Sequence, residues 1–247
     1  MNAKKRLSKR PLLAACALFL GSAIALPSTT SFAQQAEAED AGFVFDIPAL
    51  PETTPLLQAQ LESLRDRARA GYDEGRAELA ELRSAAASGY QHSQQWTVTG
   101  RTDALIALGS ETYSYTGGAH GNTAFDALVW DVESDRPIGV LGLFTNRYLG
   151  LSMIDRSFCA ALRDQQAERM GEIADDDFWA DCPTLDQVAI AAMGGDGTPF
   201  TAFRVRVPPY IAGPYAVGTF EIDVPVTAEM LDALKPAYLT SFALPRE

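Results

Sequence analysis

The sequence predicts an α+β fold, a single domain with a mainly antiparallel sheet and helices packed on one side. Three observations carry this. One long stretch repeats its apolar residues every three or four positions, the helical period. Several later stretches alternate at a period of two and are joined in neighbouring pairs by short turns. The helical segments stand before, between and after those pairs, not in one-to-one alternation with strands, which separates this pattern from a parallel α/β sheet.

The elements follow in order. Phe43-Val44-Phe45 is a short candidate first strand, and Pro48, Pro51 and Pro55 then interrupt the chain. Leu57, Leu61, Leu64, Ala68, Tyr72, Gly75, Leu79, Leu82, Ala86 and Tyr90 form one apolar stripe, which predicts a long helix started by Thr53 or Thr54 with Pro55 in its first turn. Gly71 and Gly75 weaken that helix but admit a close neighbour. After Gly89 the period becomes two. Trp96 to Gly100 and Ala104 to Leu108 read as a hairpin across Gly100–Asp103, with Thr112 to Thr116 extending its second strand. Thr123 to Asp131 is a further strand, ended by a turn over 133–137. Thr145 to Met170 reads as a second helix faced by Leu151, Ile154, Phe158 and Leu162. Asp175-Asp176-Asp177 opens a short helical turn by the same reading, since acids favour a helix N-terminus. Strands are expected at Val188–Ala192, Phe200–Val207 and Phe220–Val226, the first two around the turn Gly194–Gly197. Thr227 then caps a short helix stopped by Pro236. There is no internal repeat.

The first residues bear on the compartment. Lys4, Lys5, Arg6, Lys9 and Arg10 precede the apolar run Pro11 to Leu26, and a polar stretch ends in Ser31-Phe32-Ala33. A basic start, a short apolar stretch and a small-x-Ala end describe a signal peptide over residues 1–33, with the domain at 34–247. The apolar run is short for a membrane span. A retained anchor is one alternative. An outer-membrane lipoprotein attached through Cys16 is another, although the apolar stretch continues past that cysteine. Without its first 33 residues the chain's net charge of −12 becomes −17, because that segment holds five cations and no acid. So acidic a surface repels nucleic acid and anionic membranes and suits a basic partner, if it serves more than solubility. No span of about 20 apolar residues follows the leader, so no transmembrane anchor is expected after its removal.

Cys159 and Cys182 are the two remaining cysteines. An even count in an exported chain favours a disulfide, with two buried thiols as the alternative. Neither has a nearby His to complete a metal site, so no metal and no cofactor is expected. The Asp175–Asp177 run lacks calcium-loop spacing.

Two clusters are the candidates for chemistry. The first is Tyr113-Ser114-Tyr115-Thr116-Gly117-Gly118-Ala119-His120-Gly121-Asn122. Its glycines permit positive φ and close backbone approach, and its aromatics flank the turn. His120 serves there as a general base or ligand contact, or else donates to a backbone carbonyl in a strained connection. The run is no phosphate loop, because no Lys-Ser/Thr and no helix follow it. The second is Pro208-Pro209-Tyr210-Ile211-Ala212-Gly213-Pro214-Tyr215-Ala216-Val217-Gly218, where prolines stiffen a loop bearing two tyrosines. Such a loop suits recognition of protein or glycan, unless its tyrosines pack on the domain's own core edge. Enzyme templates are mostly missing: there is no His-Glu-x-x-His and no Gly-x-Ser-x-Gly. A His120–Ser114–Asp arrangement using Asp126 or Asp131 is only arithmetically open, as is a carboxylate pair.

At these clusters the sequence resembles a known family. Tyr115-Thr116-Gly117-Gly118-Ala119-His120, with the strand Phe125–Trp130 and Leu141-Gly142-Leu143-Phe144 after it, is similar to the extracytoplasmic domain shared by the anti-sigma factor RsiV and the peptidoglycan deacetylase PdaC. Pro209-Tyr210 with Ala212-Gly213-Pro214-Tyr215-Ala216-Val217-Gly218 resembles that family's C-terminal segment, so the likeness spans roughly residues 42–242. It implies an α+β envelope domain. In RsiV such a domain binds lysozyme. In PdaC the deacetylase chemistry lies in a separate domain, which has no counterpart here.

The function expected is therefore an exported, non-catalytic module of the periplasm or secreted space that binds a cell-wall glycan or a basic envelope protein, such as a muramidase. The expected binding residues are Tyr115, Thr116, Gly117, Gly118, His120, Asn122, Tyr210, Pro214 and Tyr215. The alternative is a cell-wall hydrolase or deacetylase using His120. The oligomeric state is left open by the sequence.

Overall fold

Burial follows the sequence periods closely. In the computed structural model, which describes residues 42–174 and 178–246, the alternating stretches become eight strands in two sheets. The first sheet has the order β1 (Phe43–Asp46), β2 (Gln91–Arg101), β3 (Leu105–Tyr115), β4 (Asn122–Asp131), β5 (Arg136–Pro137). Only β1 and β2 run parallel; every other pair is antiparallel. The second sheet is β6 (Ala189–Met193), β7 (Ala202–Val207), β8 (Phe220–Pro225). The helices are α1 (Pro55–Glu81), α2 (Arg147–Met170) and α3 (Ala228–Ala233). The described residues belong to one compact unit, so the α+β single domain expected from the sequence is what forms. The predicted leader, Cys16 and the Asp175–Asp177 run lie outside the described residues.

The period-two rule separates the two cores. On β3, Ile106 and Leu108 turn to one face and pack with Trp96, Trp130 and the α1 residues Leu57 and Leu61. Leu105 and Ala107 turn to the other face and join the larger core with Val129, Phe203, Val205, Val207, Ile222 and Val224. On α2, Met153, Ile154, Phe158 and Leu162 seal this core. Each sheet thus carries its long helix on one face. Burying one such side chain contributes about 2 kcal/mol, so the two cores supply most of the driving force. Between the sheets the approach is close: Thr99 on β2 gives its hydroxyl to the Ala192 carbonyl at 2.7 Å, and a Cβ on Gly109 would stand 3.8 Å from that of Ala191.

Three expectations change. The apolar stripe through Tyr90 does not remain one helix. Arg83 takes φ 52, a short 3₁₀ turn covers Ala85–Gly89, and Tyr90 starts the run into β2. Thr54 sits at the N-cap of α1 but its side chain makes no cap bond; its hydroxyl goes to the Pro51 carbonyl instead. Of the two helix glycines, only Gly75 meets a neighbour, the Tyr90 ring, while a Cβ on Gly71 would meet nothing within 4 Å.

Cys159 on α2 and Cys182 form a disulfide, which ties the helix to the segment leading into β6. Tyr238 gives its hydroxyl to Asp131 at 2.7 Å, joining the chain's last turn to the end of β4. Burial and the adjacent carboxylate push that phenol up to about 12. Among the described residues no helix is long and apolar enough to cross a membrane.

Candidate functional site

The two clusters singled out in the sequence meet. The first is the connection from β3 to β4, the second the loop between β7 and β8. Gly117 and Gly118 both take φ 100, which reverses the chain within two residues. Tyr115 closes the turn by donating its hydroxyl to the Gly118 carbonyl at 2.9 Å. The Tyr113 side chain lies against Gly121 so tightly that a Cβ there would come within 2.4 Å of two ring carbons and the hydroxyl oxygen. The close approach delivers His120, exposed, beside the strand end.

The second loop is held from beneath by α2. Gln166, buried on that helix, donates to the carbonyls of Ala212 at 2.9 Å and Trp179 at 3.3 Å. Arg169 donates to the Thr219 carbonyl at 2.6 Å and stacks over Phe220. Pro214 precedes a 3₁₀ turn, Tyr215–Val217, ended by Gly218 at φ 80. Tyr210 takes φ 71, a left-handed conformation unusual for an aromatic residue, and is 50% exposed.

Across this junction the His120 and Tyr215 rings stack with centroids 3.6 Å apart and planes 15° from parallel. Tyr210 completes a triangle, 5.5 Å from Tyr215 and 6.2 Å from His120. Hydrogen bonding fixes the imidazole tautomer. His120 Nδ1 lies 2.9 Å from the Gly121 carbonyl, which can only accept, so Nδ1 carries the proton. Nε2 is then the acceptor and takes the Tyr210 hydroxyl proton at 3.2 Å. Both ring nitrogens are thus engaged in hydrogen bonds. Neither Ser114, Asp126 nor Asp131 hydrogen-bonds to His120, so the arithmetical triad does not assemble.

Of the remaining sequence candidates, Thr116 is exposed at the turn, and Asn122 begins β4 opposite Ser114. A groove of about 390 Å³ adjoins the rings and is lined by Glu111, Thr123, Phe125, Pro209, Tyr215 and Glu221. Arg206 touches three of these lining residues, stacked on Phe125 at 4.9 Å and paired with Glu221 at 2.8 Å and Glu111 at 3.8 Å. None of these charged residues stood out in the sequence, because single residues of alternating strands carry no motif. The arrangement offers flat aromatic faces beside carboxylates, which suits stacking and hydrogen bonding more directly than bond cleavage. Asp155 is the only acid grouped with Cys159 and Cys182 among the described residues, and the disulfide occupies both sulfurs.

Residues 31–123 match the family model described as Deacetylase PdaC. The resemblance read from Tyr115 to His120 holds over that span; the Pro209–Gly218 segment lies beyond it. No curated protein matches. Two solved structures are similar in fold. One is a DUF3298 family protein from Pseudomonas aeruginosa PAO1, with 20% identity and TM-score 0.46 over 62% of this chain and 65% of that one. The other is a DUF3298 family member from Bacteroides fragilis, with 20% identity and TM-score 0.48 over 74% and 71%. The chain therefore spans just under two thirds of the Pseudomonas protein.

Proposed function

We propose that residues 34–247 form an exported, non-catalytic module of the cell envelope, in the periplasm or outside the cell, released from a signal peptide at residues 1–33. The module binds a protein or a cell-wall glycan through the surface built by Tyr115, Thr116, Gly117, Gly118, His120, Asn122, Tyr210, Pro214 and Tyr215. The supporting observation is the His120–Tyr215–Tyr210 stack, with His120 and Tyr210 exposed and Tyr215 half-buried, assembled from loops some 90 residues apart. A fold that needed these rings only for its core would bury them. Holding Tyr210 at positive φ costs on the order of 1 kcal/mol, a cost expected where a side chain must be presented. Sugar rings offer flat C–H faces to such a stack, and a basic protein offers guanidinium groups to the rings and the flanking Glu111 and Glu221.

Calorimetry of the mature chain against lysozyme and against soluble muropeptides tests this. Binding of either, lost in Tyr215→Ala with an unchanged melting temperature, supports the reading; no heat with both overturns it. The hydrolase or deacetylase alternative makes a separate demand, because His120 Nε2 would have to give up the Tyr210 hydroxyl to act as a base. Release of product from purified peptidoglycan that disappears in His120→Ala would establish it.

A further inference from the structure

A second groove meets the one beside Tyr215 at Phe125 but contains none of the three stacked rings. It is a groove of about 790 Å³ lined by Phe125, Asp126, Ala127 and Val129 of β4, by Leu185–Ile190, and by the stretch from Ile138 to Thr145 with Arg147 and Lys235. Its distinguishing feature is an unpaired strand edge. β3 pairs with β4 from Asn122 to Asp131, but β5 covers only Trp130 and Asp131 on the other side. One further bond, Ile138 N–H to the Val129 carbonyl at 2.9 Å, ends that cover. Gly139, at φ 62, then turns the chain off the edge into the 3₁₀ turn Val140–Leu143.

The register says which groups are open. In an antiparallel ladder the N–H and C=O of one residue point to the same side, and the side alternates along the strand. Val129 points outward to Ile138, so Ala127, Phe125 and Thr123 also point outward. Phe125, Ala127 and Val129 line the groove. Proteins usually blunt such edges with proline, lysine or a covering element. β4 contains neither residue, and no strand pairs with its outer edge over 122–128 among the described residues.

We propose that this groove binds an extended peptide, which adds to β4 as a strand and places its C-terminal carboxylate at Arg147 and Lys235. Three observations select that occupant. The open donors and acceptors are main-chain groups, which an extended backbone satisfies. The edge closes at Val129, so an added strand must stop there, as a chain end does. The chain is acidic throughout, yet two exposed cations, Arg147 and Lys235, line this groove with Asp126 and Asp186, and neither cation has an ion-pair partner among the described residues. Lys235 is the only lysine after Lys9. The N-terminus of the 24-residue helix α2 lies at Arg147 and adds its partial positive charge. This groove shares Phe125 with the one beside Tyr215, but the proposal does not require that the His120 stack bind anything.

The test uses a library of biotinylated heptapeptides without Asp or Glu, carrying free C-terminal carboxylates, captured by the purified mature chain. We expect members that bind at micromolar concentration and slow hydrogen exchange at the amides of Phe125 and Ala127. Amidating the C-terminus, or Lys235→Gln, weakens them about tenfold, the effect of losing one charge-assisted contact. N-methylation at alternate backbone positions abolishes binding, while Tyr215→Ala leaves it intact. The proposal fails if no member binds. It also fails if amidated or N-methylated peptides bind equally well, if protection appears on another segment, or if Tyr215→Ala removes binding.

Discussion

Asp135 accepts the indole N–H of Trp130 with one carboxylate oxygen at 2.7 Å, and with the other it accepts the backbone N–H of Leu56 at 3.0 Å. The cap that Thr54 does not supply to α1 therefore comes from a turn 79 residues away, and it fastens the helix to the sheet it covers. The φ of 46 at Asp135 aims the carboxylate both ways. Asp135→Ala would strand the indole N–H of a tryptophan that is 2% exposed. A loss of about 2 to 3 kcal/mol is expected in urea unfolding, with less lost in Asp135→Asn, which keeps one acceptor and tolerates the left-handed backbone.

That bond also marks the boundary of what the sequence reveals. The start of α1 was legible from its apolar stripe and Pro55, but the true cap was not, since nothing local to 133–137 links it to residue 56. The far end of the helix misled for a simpler reason. Leu82 continues the three–four period yet is 77% exposed, so the pattern there reflects composition, not a packed face. The strands were legible because each buries one alternating face. Their division into two sheets was not, because alternation says which side is buried and not against what.

The candidate site divides in the same way. Glycine, proline and tyrosine are informative in clusters, since each restricts the backbone or presents a ring, and both loops stood out. That His120 stacks on Tyr215 depends on Gln166 and Arg169 holding the second loop from α2. Those are ordinary helix residues until the fold is known. Glu111, Phe125 and Glu221 were unremarkable for the same reason.

The Cys159–Cys182 bridge closes a loop with a sequence separation of 23. Removing it frees that loop in the unfolded chain, which on the chain-entropy account lowers stability by about 3 kcal/mol. Cys159→Ser with Cys182→Ser should therefore melt well below the wild type, and adding reductant should lower the wild-type curve but not that of the double variant. Equal melting of both proteins without reductant would show that the bridge contributes little.

His92 gives the fold an acid sensitivity of its own. Its ring stacks on Phe43, with centroids 5.4 Å apart, beneath α1, and its Nε2 is buried with no hydrogen-bond partner. Burial disfavours the imidazolium and outweighs the bond to Gln94, so the pKa lies below the ordinary 6.5. Arg69, over Phe43 at 5.3 Å, adds no favourable charge for a proton there. As the pH falls the unfolded chain takes this proton first. The stability His92 contributes is thus complete above about 6.5 and lost as the pH drops through the folded value. Wild type should melt lower at pH 5 than at pH 7, and His92→Phe, which keeps a stacked ring, should narrow the gap. An unchanged gap would assign the acid sensitivity to other groups.

Tyr210→Gly separates stability from presentation of the rings. At φ 71 glycine is unstrained, which recovers about 1 kcal/mol, while its extra unfolded-state entropy costs roughly the same. The lost side chain was 50% exposed and its hydroxyl met an exposed imidazole, so the fold forfeits little. The melting temperature should accordingly stay within a few degrees of wild type. Binding is another matter, because the variant removes one of three rings and the donor that fixes His120 Nε2. We expect at least a tenfold weaker association with whichever ligand the wild type takes in calorimetry. A variant that melts normally and binds normally would mean that the strained tyrosine serves neither purpose, and the surface assigned to this junction would have to be sought elsewhere.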